Sequence, residues 1–125
     1  MRAVAIQQHG GLEAVALREM PDPTPGPGEV LLDVRAASLN HLDLWVLKGG
    51  RAAIPMPHIL GSDAAGVVAA VGEGVQAFKT GDAVIVHPGL SCGACEFCRR
   101  GEQSECVDFG IIGLSRPGVF AERAA

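Results

Sequence analysis

All four cysteines of this chain, Cys92, Cys95, Cys98 and Cys106, fall in the stretch CGACEFCRRGEQSEC, spaced C-x2-C-x2-C-x7-C. Four deprotonated thiolates placed tetrahedrally at about 2.3 Å close the coordination shell of Zn²⁺ and leave no position for water or substrate, which is the chemistry of a structural site. A two-residue gap lets the chain curl round an ion, and Gly93, with no Cβ, suits the tight turn after the first ligand. Arg99 and Arg100 beside the third cysteine could offset the negative charge of a zinc tetrathiolate, or simply be solvated. A four-iron iron–sulfur cluster also uses C-x2-C-x2-C with a more distant fourth cysteine, and ordinary thiols or disulfides are a third possibility. Spacing alone does not choose among these. Residues from about 88 to 110 carry few apolar groups, so a metal is expected to order that lobe.

The rest of the chain has to support such a lobe. With 125 residues, 48% apolar content, 17 Gly, 8 Pro and 4% aromatics, it reads as one turn-rich domain and not a helix bundle. Ten basic against fourteen acidic side chains give a net charge of −4. No basic stripe neutralises phosphates, so nucleic acid is not an expected partner. No apolar run approaches the roughly 18 to 20 residues of a membrane span, and the first residues, MRAVAIQQHGG, have no signal-peptide core. A cytoplasmic location is therefore expected. Thiols stay reduced there, which favours metal over disulfides.

MRAVAIQ and AVALREM predict two short strands around the Gly10-Gly11 turn, followed by a proline-rich loop, PDPTPGPGE. Glu29 to Leu39 alternates as a strand with Val30, Leu32, Val34 and Ala36 on one face. Leu39, Leu42, Val46 and Leu47 then approach helical spacing, and Gly49 stops a short helix. AAGVVAAVGEGV predicts a small-residue strand ending in a turn at Gly72-Glu73-Gly74, and GDAVIVHP another strand closed by Pro88. GVFAERAA supplies a final strand. Short strands at intervals of about ten residues favour a barrel or sandwich.

The order of motifs, VRAASLNHLDLWVLKG, then PHILGSDAAGVVAAVGEGVQAFKTGDAVIV, then the cysteine lobe, resembles the amino-terminal, GroES-like half of a medium-chain dehydrogenase/reductase. That superfamily contains the zinc alcohol dehydrogenases and the quinone oxidoreductases. The resemblance implies a mainly β fold: an irregular β-barrel over residues 1–125 with a few short helices and a four-cysteine structural-zinc lobe. It also implies a Rossmann domain binding NAD(P)H in the parent protein. In the alcohol dehydrogenases of the superfamily a catalytic zinc takes Cys from a C-H-x-D-type motif and His-Glu from a G-H-E motif. Here Asn40 in NHLD and Ser62-Asp63 in GSD stand in those places, and Asn and Ser are poor zinc donors. Asn40 and GSDAAGVV resemble the quinone oxidoreductase branch, whose members reduce quinones or activated C=C bonds without catalytic zinc.

By that resemblance Asn40 lies at the mouth of an active-site cleft, bonding cofactor or substrate, or it caps the short helix. His41 takes the position that faces the cofactor's phosphates, or is a solvated histidine. Asp43 takes the acidic position that orients a zinc-binding His in the zinc enzymes, or makes a structural hydrogen bond. Asp63 either pairs with a nearby base or points into the cleft. Trp45, the single Trp, either walls the substrate pocket or belongs to the core. A makeshift metal site from His41, His58, Asp63 and His87 is a weaker alternative.

No G-x-G-x-x-G opens a helix after a strand, so the dinucleotide fingerprint is missing and the Rossmann domain is expected elsewhere in the parent. The functional expectation therefore concerns that parent: an NAD(P)H-dependent oxidoreductase acting on a small carbonyl, enone, quinone or alcohol, as a homodimer or homotetramer. The isolated chain is expected to be inactive. Alternatives are a zinc-dependent alcohol dehydrogenase with an atypical site, and a stand-alone zinc-stapled binding module.

Overall fold

The computed structural model describes residues 1–50 and 54–125. Strand β1 (Arg2–Ile6) pairs antiparallel with β2 (Val15–Glu19) in register from Arg2 opposite Glu19 to Ile6 opposite Val15. The other edge of β1 takes the short β4 (His58–Ile59). A second sheet is built on β3 (Val30–Ser38) and β5 (Asp63–Val71), with β6 (Ala83–Ile85) beyond β5 and β9 (Arg123–Ala124) beyond β3. Helix α1 (His41–Lys48) leaves the end of β3. Two further strands, β7 (Gly89–Leu90) and β8 (Gly110–Ile111), pair with each other and bracket the cysteine lobe. These are the short strands and short helices of an irregular barrel.

The two larger sheets are stitched together by residues 118–124. Val4 donates its N–H to Phe120 at 2.7 Å, Glu122 donates to Arg2 at 3.0 Å, and Val34 donates to Glu122 at 3.0 Å. On its other side the same segment bonds residues 59–61, with Gly118 donating to Ile59 and Phe120 to Leu60. Ile6, Val46, Leu47 and Leu60 form one buried cluster between sheet and helix, and Ala3, Ala5 and Ile59 a second. Several of the core side chains are small, which brings backbones close.

Two sequence expectations are corrected here. The alternating face on β3 does not persist, because register shifts at Leu31/Leu32 and Val34/Ala36 interrupt the two-residue period. Leu32 is buried while Ala36 is exposed. Leu39 lies before α1 and is 86% exposed, so it takes no part in the helix face packed on the core. That face consists of Leu42, Val46 and Leu47.

Candidate functional site

The cysteine lobe is assembled by backbone before any ion is considered. Cys95 stands at the extended position ahead of the short helix α2 (Glu96–Arg99), which carries Cys98. Gly93 has φ +69°, the left-handed conformation its lack of Cβ permits. A short 3-10 turn, Gln103–Glu105, leads into Cys106. Cys98 and Cys106 are buried, Cys92 is exposed, and none of the four is in a disulfide. Sulfur separations are 3.5 Å for Cys95–Cys98 and 4.0 Å for Cys92–Cys98, and all four sulfurs lie within 4.8 Å of one another. A tetrahedral ion with sulfur at about 2.3 Å spaces its ligands at roughly 3.8 Å, so the four thiols could hold a single metal ion. A four-iron cluster binds each thiolate to a different corner iron and needs them farther apart, so that alternative does not fit.

Backbone amides neutralise part of the sulfur charge. Ala94 and Cys95 donate N–H to Cys92 Sγ at 3.4 and 3.3 Å, and Cys92 and Asp108 donate to Cys106 Sγ at 3.3 and 3.4 Å. The amides of Ala94 and Cys95 pull the Cys92 thiol below its ordinary pKa. Those of Cys98 and Val107 bring Cys95 down to about 6. Cys98 moves the other way, to about 11, because burial disfavours its thiolate. Three neighbours resist the fourth ionisation, and a dication among them removes that conflict. The arginines follow the solvated alternative: Arg100 bonds Glu96 and Glu102 and lies over the Phe97 ring, and Arg99 is exposed.

The other candidate residues gather where β3, α1 and β5 meet. Asn40 occupies the N-cap of α1 in extended conformation, and Asp43 completes a capping box. Asp43 is buried, and both its oxygens are engaged by backbone: Asn40 N–H at 2.8 Å and Gly61 N–H at 3.1 Å. Its geometry is that of a clamp between the helix start and the loop ahead of β5. Asp43→Ala leaves two N–H groups without acceptors and is expected to lower unfolding free energy by about 2–4 kcal/mol in urea titration, with Asp43→Asn losing less.

Asn40 Nδ2 donates to Asp63 Oδ2 at 2.8 Å. This bond spans 23 residues of sequence, and no local pattern announces it. Ser62 is 4% exposed, and its Oγ has no hydrogen-bond partner among the described residues. His41 and Trp45 lie against each other on the outer side of α1, ring centroids 5.2 Å apart and planes tilted by 58°. Trp45 is 63% exposed and does not belong to the core. His58 is buried and bonds the Gly113 carbonyl at 2.9 Å, and His87 is exposed beside the cysteine lobe. Among the described residues the four cysteines form the metal-competent cluster, and His41, His58, Asp63 and His87 do not converge. The makeshift site is thereby dismissed.

Two depressions flank this junction. An apolar cavity of about 450 Å³ is lined by Val4, Val15, Leu39, Leu44, Leu47 and Phe120 among others, with Asp43 at its wall. A shallower one of about 260 Å³ is lined by Ala36, Ala37, Ala64, Ala65 and Ile85, with Asp63 as its charged member. Sequence reasoning put Leu39 and Ala36 on apolar faces and gave none of these residues a place in a pocket, because small or exposed apolar residues carry no chemical signal of their own.

Residues 26–125 match the family described as the alcohol dehydrogenase GroES-like domain. The chain is 40% identical over 126 residues to L-threonine 3-dehydrogenase of Pyrococcus abyssi, covering 98% of this chain and 36% of that protein. It is 39% identical to acryloyl-coenzyme A reductase of Metallosphaera sedula, covering 99% of this chain and 37% of the relative. A solved NAD-dependent alcohol dehydrogenase superposes with a TM-score of 0.95 at 49% identity, over 99% of this chain and 36% of the other. The chain thus spans about a third of the length of the relatives it matches. With a barrel of this design, a four-cysteine lobe and a family match over residues 26–125, the chain belongs to the alcohol dehydrogenase GroES-like domain family.

Proposed function

We propose that this chain is the amino-terminal, substrate-side domain of a cytoplasmic NAD(P)H-dependent medium-chain oxidoreductase that works without a catalytic zinc. In this reading Cys92, Cys95, Cys98 and Cys106 hold a structural zinc, the ion that suits a compact four-thiolate shell. The carrying observation is the Asn40–Asp63 hydrogen bond beside the buried, unpartnered hydroxyl of Ser62. An amide tied to a carboxylate and a serine hydroxyl stand where the family's zinc alcohol dehydrogenases place Cys and His-Glu. Such a donor set does not fit a catalytic zinc, which needs three good donors and an open position.

The nicotinamide cofactor would supply the hydride. The chain's own residues would orient the acceptor and stabilise charge developing on its oxygen, tasks that need no metal. His41 and Trp45, in tilted ring contact and open to solvent, would form one continuous surface beside Asn40 for cofactor phosphate and substrate. The relatives' names cover both threonine dehydrogenation and acryloyl-coenzyme A reduction. The ligand set here favours the second kind of acceptor, an activated C=C bond or a quinone.

The test is to purify the parent polypeptide without added zinc, count metal per chain by mass spectrometry, and assay enone and quinone reduction against alcohol oxidation. One zinc per chain and enone reduction that survives brief chelation is the expected result. Two zincs per chain with chelator-sensitive alcohol oxidation would move the atypical alcohol dehydrogenase to the front. A reading frame that stops at Ala125, with no oxidoreductase activity, would favour the binding module.

A further inference from the structure

We infer that Asp63 is a positioning residue, fixing the carboxamide of Asn40 as a one-sided hydrogen-bond donor for an uncharged substrate with a carbonyl-type oxygen. This inference rests on the oxidoreductase reading above and names the substrate class of that site.

A carboxamide can turn by half a revolution and exchange donor for acceptor, so its chemistry depends on what holds it. An ionised carboxylate accepts only. With Asp63 Oδ2 at 2.8 Å, the Asn40 amino group has to face it, and the amide oxygen turns towards the start of α1, where Asn40 and Asp43 form the capping box. The backbone of Asn40 is held as well, its N–H by Asp43 Oδ2 at 2.8 Å and its carbonyl by the Asp43 N–H at 3.1 Å. Asp63 itself is fixed as the first residue of β5, opposite Ser38 at the end of β3. What Asn40 retains for a ligand is its second amino hydrogen. That is a donor, placed in advance on rigid elements, as stabilisation of a developing oxyanion requires.

The surroundings limit the ligand further. Asp63 edges a depression otherwise walled by four alanines, the exposed Ile85 and Ser38, so Asp63 is its one charged member. An apolar wall carrying one negative charge repels an anion and gives it no counter-ion. A neutral conjugated carbonyl compound fits both constraints.

Two measurements test this. In the 125-residue chain, the side-chain NH2 resonances of Asn40, assigned by their loss in Asn40→Asp, are expected to be widely separated, with one proton exchanging slowly. Asp63→Ala should collapse that separation. Asp63→Asn, which preserves volume should the alanine variant fold poorly, should reduce it. An Asn40 amide unmoved in a folded Asp63 variant overturns the inference. In the parent enzyme, Asn40→Ala and Asp63→Ala should each lower kcat on a neutral enone by about 10²-fold, and the double variant should be no worse than Asn40→Ala. Additive losses would show that Asp63 does not act through Asn40. Asp63→Asn should also narrow the preference for a neutral enone over a carboxylate-bearing one, and an unchanged preference would overturn the substrate class. If the parent reduces no enone, the oxidoreductase reading fails, while the amide resonances still decide whether Asp63 positions Asn40.

Discussion

Removing the zinc proposed for the four cysteines is expected to unfold residues 88–110 and leave the two larger sheets folded. Little else holds that segment. Helix α2 has four residues, too few to persist alone, and β7 and β8 contribute two residues each. Val107 and Phe109 are exposed, and the buried side chains in this segment include two of the thiols themselves, Cys98 and Cys106. A structural zinc in a small site supplies apparent binding energy of about 10–16 kcal/mol near neutral pH, comparable to the whole stability of an ordinary domain. Hydrogen exchange read by mass spectrometry, with and without a strong chelator, should show protection lost across 89–111 and retained in β1, β3 and β5. Cys98→Ser should reproduce the loss. A chelated lobe that keeps its protection would mean that the cysteines are not its staple. Acid should act as the chelator does: Cys98, held near 11 without metal, has to release its proton on binding, so affinity falls as pH falls.

Replacing Gly118 by alanine is expected to cost about 3 kcal/mol or more, close to the upper end for a single methyl. A Cβ there would stand 2.3 Å from the Leu60 carbonyl oxygen and 2.4 Å from that of Gly61. Backbone, unlike the far end of a side chain, cannot swing aside. Gly118 donates its own N–H to Ile59, and Val119 donates to Gly61, so separating the strands breaks the ladder that joins the sheets. The disturbance reaches Ser62 and Asp63, which follow directly on the displaced carbonyls. Gly74→Ala, with nothing within 4 Å of the added carbon but φ at +80°, serves as a comparison for backbone strain alone. Equal losses in the two variants, measured by urea unfolding, would remove the argument from close approach.

The parts legible in the sequence are those whose information is local. The strands around Gly10-Gly11, the helix ended by Gly49 and the cysteine spacing each need only neighbouring residues, and each is present. What sequence reasoning lost is non-local. The bulges in β3 belong to its pairing with β5 and are not visible in the alternation of Val30 to Ala36. The strand expected from GDAVIVHP shrinks to Ala83–Ile85, although Asp82 and Val86 still exchange single backbone hydrogen bonds with Val68 and Ala64 of β5. His58, weighed from the sequence only as a metal ligand, is buried because β4 docks on β1 and the Gly113 carbonyl accepts its ring N–H. The Asn40–Asp63 bond joins residues from two strand ends that only the folded sheet brings together.

Trp45 gives the molecule an unusual optical property. It is the single Trp, it lies mostly in water, and it sits against the His41 ring instead of in the core. Its fluorescence should therefore emit at long wavelength in the native chain and change little on unfolding. Intrinsic emission here is a poor thermometer of folding and a sensitive gauge of whatever settles on the outer face of α1.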